Sequence, residues 1–86
     1  MMKLDNKNVA ITGTLRLMIR EKAYQLIRNE NGTPKDNMNN TIDILVVTDE
    51  MVGKETTKIR KAKDNKHIRI ISETHFYYLV GIVNSI

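Results

Sequence analysis

Cysteine and tryptophan are absent from the chain, phenylalanine and proline occur once each, and glycine occurs four times. Without cysteine there is no disulfide, no thiolate nucleophile and no Cys-based metal site, and the chain is at home in a reducing compartment. No apolar run approaches the roughly 20 residues that cross a bilayer, and the opening MMKLDNKNVA lacks the apolar centre of a secretion signal, so a soluble protein is expected. His67 and His75 stand eight apart with no carboxylate at ligand spacing, which excludes the usual metal patterns. Neither histidine has an announced nucleophile partner, and no enzyme activity, cofactor or metal is expected. VGKETT carries Gly53-Lys54 but not the upstream glycine of a phosphate-binding P-loop.

What is present is short and basic. Eighty-six residues make one small domain, 1–86 with a core over about 7–83, in a size range where only about 60 to 65 % of the unfolded surface is buried. Fourteen Lys and Arg against ten Asp and Glu leave a formal charge of +4. Such a balance favours an anionic partner, nucleic acid first among them.

Asn8–Thr12 (NVAIT) reads as a buried strand ending at Gly13. From Met18 the apolar period lengthens: Ile19, Ala23, Leu26 and Ile27 form the inner stripe of a helix that closes at Asn31-Gly32. TPKDNMNN (33–40) holds the proline and offers at most a short edge strand and a loop. IDILVV (42–47) is too continuously apolar for an exposed face and is expected to be a central strand covered on both sides. A second helix starts about Thr56 or Thr57 with Ile59 and Ala62 inward, IRII (68–71) is a further strand, and a last helix over 72–83 is capped by Ser72 and packed through Phe76, Leu79, Val80 and Val83. The order of strands and helices predicts an α/β domain: a mostly parallel sheet of about four strands with three helices on its two faces.

Taken together, NVAITGTL, REKAYQLIRNENG, NNTIDILVV and TKIRKAKDNKHIRIISETHF resemble the BRCT family in order and spacing over nearly the whole chain. The likeness is to the single BRCT module of bacterial NAD-dependent DNA ligases and of the replication factor C large subunit. Asn31-Gly32 stands where the family usually has two glycines, and Phe76 where many members have tryptophan.

In a parallel sheet the Thr12-Gly13-Thr14 corner lies at the carboxyl edge, where open α/β sheets gather ligands. Thr12 offers a hydroxyl, and Gly13 a backbone N–H that can approach an anion with no Cβ in the way. Neutral donors alone hold a solvated phosphate weakly, so a fixed cation is required. The resemblance implies that Lys58 in TKIRKA supplies it and that Arg20, near the start of the first helix, helps to hold a 5′-phosphate.

Thr12, Gly13, Arg20 and Lys58 are thus the expected phosphate pocket, with Thr14, Lys54, Lys61 and Lys63 along a duplex backbone. The plainer alternatives are a simple turn at Thr12–Thr14, a solvated basic helix face, an Arg20 paired at i+4 with Tyr24, and tyrosines at 24, 77 and 78 that serve packing. The function implied is a non-catalytic module of DNA replication and repair that recognises a phosphorylated DNA end or nick within a bacterial, cytoplasmic and nucleoid-associated ligase. A phosphopeptide-binding protein-interaction module and a scaffold inside such a ligase are the alternatives.

Overall fold

In the computed structural model, which describes residues 3–82, the chain runs β1 (Asn8–Thr12), α1 (Arg20–Asn29), β2 (Thr33–Lys35), β3 (Ile44–Val47), a 3₁₀ turn (Asp49–Met51), α2 (Thr57–Lys63), β4 (Arg69–Ser72) and α3 (Glu73–Leu79). The four strands form one parallel sheet in the order β2-β1-β3-β4. The expected α/β architecture of four parallel strands and three helices is therefore the one observed.

Alternation along β1 sorts the core into two layers, because successive side chains leave a strand on opposite faces. Val9 and Ile11 join Leu4, Leu15, Ala23, Ile27, Phe76, Tyr77 and Val80 beneath α1 and α3. Ala10 joins Ile42, Leu45, Ile59, Ala62 and Ile68 beneath α2. Ala10, Ile11, Leu45 and Val46 are fully buried, as strands covered on both faces must be.

Helix boundaries follow their caps. The Thr56 hydroxyl accepts from Ile59 N–H at 3.2 Å to start α2, and the Ser72 hydroxyl accepts from His75 N–H at 3.0 Å to start α3. α1 has no side-chain cap: Ile19 occupies the N-cap position with extended backbone and is 69 % exposed. This corrects its expected place in the inner stripe; Ala23 and Ile27 are buried, and Leu26 packs partly against them. α3 ends at Leu79, short of the expected 83, with Gly81 in the left-handed region at φ +89° shortly after. Val83 lies outside the described residues.

The register places the site. Thr12 pairs with Val47 on β3, whereas on the other side β2 stops at Lys35, opposite Ala10. The last residues of β1 therefore overrun β2, and main-chain groups there that point toward β2 have no strand partner.

Candidate functional site

Backbone groups on one side of β1 are satisfied by β3 and its following turn. Thr12 O accepts from Thr48 N–H at 3.2 Å and from the Thr48 hydroxyl at 2.9 Å, and Thr14 N–H donates to Glu50 Oε2 at 2.7 Å. On the overrunning side Arg20, the first residue of α1, takes the place of the missing strand. Its guanidinium donates to Ile11 O at 2.9 Å and to Gly13 O at 2.6 Å. The planar fork presents one nitrogen to each carbonyl. Gly13 N–H, on the same side, has no hydrogen-bond partner among the described residues.

Thr12 is buried and leaves β1 on the face that α2 covers, by alternation from Ala10. Its hydroxyl makes no hydrogen bond to another described residue, and no fully buried polar side-chain atom among them lacks a partner. The Thr12 hydroxyl is thus reached by solvent.

Lys58 lies in the first turn of α2, half-buried, with Nζ 3.5 Å from the main-chain oxygen of Asp36. Burial holds its pKa below the usual lysine value; the Arg20 charge lowers it further, and Asp36 opposes both. The Arg20 charge thus disfavours the charged form of Lys58. Among the described residues neither forms an ion pair with a carboxylate. Thr12 and Gly13 at the end of β1, Arg20 at the start of α1 and Lys58 in the first turn of α2 all stand at the carboxyl edge of the sheet, with the Arg20 guanidinium turned onto the main chain and Lys58 Nζ toward Asp36 O.

Two details differ from the sequence reading. The absent Cβ of Gly13, at φ +95°, would collide with Thr48 Oγ1 and Met51 Cγ, so this glycine is required by packing under the turn. Tyr24 is near Arg20, as the i+4 alternative held, but its hydroxyl also donates to Asp36 Oδ1 at 2.8 Å.

The remaining basic residues do not share one face. Lys61, three residues beyond Lys58 on α2, lines a cavity of about 500 Å³ with Met38, Asn39 and Asp64. Lys54 and Lys63 line a second cavity of about 320 Å³ on the β4 side with Val52 and Ile70, and Lys63 pairs with Glu55 at 3.3 Å. Thr14 is exposed, its amide already taken by Glu50.

Sequence reasoning passed over the residue that ties the edge together. Glu73 is fully buried and accepts from Arg16 N–H at 2.6 Å, Asp49 N–H at 2.7 Å and the Tyr77 hydroxyl. Arg16 also pairs with Asp49 and lies over the Tyr77 ring. Burial alone would raise the Glu73 pKa, but these bonds and the Arg16 charge outweigh it and hold the carboxyl below its usual value. A Glu in the first turn of a short helix gave only a dipole signal. Tyr78 corrects the packing expectation: it is exposed, with Lys3 Nζ 4.3 Å from its ring centre.

A parallel sheet of this order, with α1 and α3 on one face and α2 on the other, defines a class that comparison with known proteins identifies. The family model "BRCA1 C Terminus (BRCT) domain" matches residues 1–80, and the chain belongs to the BRCT family. It is 32 % identical over 83 residues to a DNA ligase of Sulfurihydrogenibium sp. (strain YO3AOP1), covering 96 % of this chain and 11 % of that one. It is 35 % identical over 79 residues to a DNA ligase of Baumannia cicadellinicola, covering 91 % and 11 %. The chain thus spans about a ninth of the length of these curated relatives. Among solved structures, the C-terminal BRCT domain of human XRCC1 shares the fold with a TM-score of 0.66 at 14 % identity, over 87 % of this chain and 75 % of that one. No helix among the described residues is long and apolar enough to cross a membrane.

Proposed function

We propose that this chain is a non-catalytic DNA-binding module that recognises a 5′-phosphorylated end or nick, and that it serves a bacterial NAD-dependent DNA ligase in the cytoplasm. One observation carries the reading. Arg20, bonded to the main chain of Ile11 and Gly13, and Lys58, whose pKa the Arg20 charge lowers, come from different helices at the carboxyl edge that also carries Thr12 and the unpartnered Gly13 N–H, and neither has a carboxylate partner among the described residues.

Two like charges held together at a half-buried edge raise the free energy of the empty site, and a dianion relieves it. A terminal phosphate carries close to two charges at neutral pH and an internal phosphodiester one, so the site discriminates ends by charge as well as by access. The net charge of +4 and Lys61 beside Lys58 favour a duplex over a phosphopeptide as the bearer of that phosphate. Phosphate contacts position a protein without reading bases, and little sequence preference is expected.

The test is a titration of matched duplexes with and without a 5′-phosphate, and of a phosphoserine peptide, at two salt concentrations. The proposal expects tighter binding to the phosphorylated duplex and a steep loss of affinity with salt. Equal affinity for the two duplexes would refute end recognition, and a preference for the peptide would transfer the pocket to protein partners.

A further inference from the structure

Asp36 follows the last residue of β2 and is exposed, yet it touches both cation-bearing helices. Its main-chain oxygen faces Lys58 Nζ at 3.5 Å, and its carboxylate accepts from the Tyr24 hydroxyl at 2.8 Å. Tyr24 lies four residues beyond Arg20, on the same face of α1. The chain Arg20, Tyr24, Asp36, Lys58 thus closes the side of the corner that β2 leaves open.

We propose that Asp36, fixed by Tyr24, sets the affinity of this site: its main chain positions Lys58, and its carboxylate offsets part of the charge that an entering phosphate would meet. The inference rests on the phosphate reading above. The carboxylate is outside ion-pair distance of either cation, so it weakens the field without neutralising it. The direction in which Asp36 acts on Lys58, opposing burial and Arg20, agrees with this placement. The consequence is a site that holds a phosphate reversibly, since two cations without a counter-charge would bind more tightly and release more slowly.

Two substitutions separate the two roles. Asp36→Asn keeps an acceptor for the Tyr24 hydroxyl and removes only the charge. Tyr24→Phe keeps the ring and the charge and removes the anchor. Against the 5′-phosphorylated duplex at low salt, Asp36→Asn is expected to tighten binding by about threefold to tenfold, with a smaller gain for the unphosphorylated duplex.

Tyr24→Phe is expected to reduce the preference for the phosphorylated duplex. Unchanged or weaker binding by Asp36→Asn, or an undiminished preference in Tyr24→Phe, overturns the proposal. An NMR titration of the Lys58 side chain in the free protein provides a readout without DNA: Asp36→Asn must lower the Lys58 pKa, and an unmoved titration also overturns it. If the wild-type protein binds both duplexes equally, end recognition fails, while the Lys58 titration still decides whether Asp36 acts on the cation.

Discussion

The guanidinium of Arg20 donates to the carbonyl oxygen of Gly13 at 2.6 Å, and with its second bond to Ile11 it completes an edge that β2 stops short of. A residue expected to meet a ligand therefore has a structural task as well. Arg20→Ala leaves two main-chain acceptors without their donor and should cost about 1–3 kcal/mol of stability along with phosphate preference. Lys58→Ala should lose the same preference while staying within about 0.5 kcal/mol of wild type, because its charge sits in a place that burial disfavours. Denaturant unfolding and duplex binding on both variants check the split. A large stability loss in Lys58→Ala would show that its role is structural.

The flanking lysines should behave differently. Lys63 lies on the β4 side and already pairs with Glu55, so Lys63→Ala should weaken phosphorylated and unphosphorylated duplexes alike and by little. Lys58→Ala should also reduce the salt slope by about one. The reverse ranking would mean that the duplex lies against β4.

Lys58 gives binding a pH signature. Its ammonium loses its proton below the usual lysine value near 10.4, burial being the main cause, and a bound phosphate favours the charged form. Affinity for the phosphorylated duplex should therefore fall with rising pH, beginning below the ordinary ammonium range, and binding there should take up a proton. Lys58→Arg, which stays charged, should remove that alkaline limb. A flat profile in the wild type up to the ordinary lysine range would contradict the buried placement of the ammonium.

Glu73 determines the acid side of stability. A carboxyl whose folded pKa is depressed stabilises the fold above its unfolded value of about 4.5 and loses that contribution as pH falls through the folded value. Unfolding monitored from pH 7 downward should show stability declining through and below that range. Glu73→Ala, which strands two amides and a buried hydroxyl, should cost about 3 kcal/mol or more, and Glu73→Gln less, with a flatter acid limb. An acid limb identical in Glu73→Gln would assign it to other groups.

The sequence showed the fold more fully than the site because the fold is written in local patterns. The alternating Val9-Ala10-Ile11, the apolar run at Ile44–Val47 and the caps at Thr56 and Ser72 each depend on neighbours a few residues away. Ile19 was misplaced where no side-chain cap exists: α1 starts at Arg20, whose side chain bonds β1, and Ile19 is left in solvent. The Glu73 network was invisible for a related reason, since Arg16 and Asp49 are 57 and 24 residues from it in the chain. Gly13 was legible as special, but the contact that demands it, Thr48, is distant in the chain, so Gly13→Ala reports on folding and is a poor probe of the ligand.

The most direct measurement is the amide and side-chain NMR spectrum of the protein during addition of a 5′-phosphorylated duplex and of its 5′-hydroxyl counterpart. The account predicts that the phosphorylated duplex alone moves the Gly13 amide downfield and shifts the Lys58 and Arg20 side-chain signals, whereas both duplexes perturb Lys61. Identical spectra with the two duplexes, or changes confined to Lys54 and Lys63 on the β4 side, would contradict it.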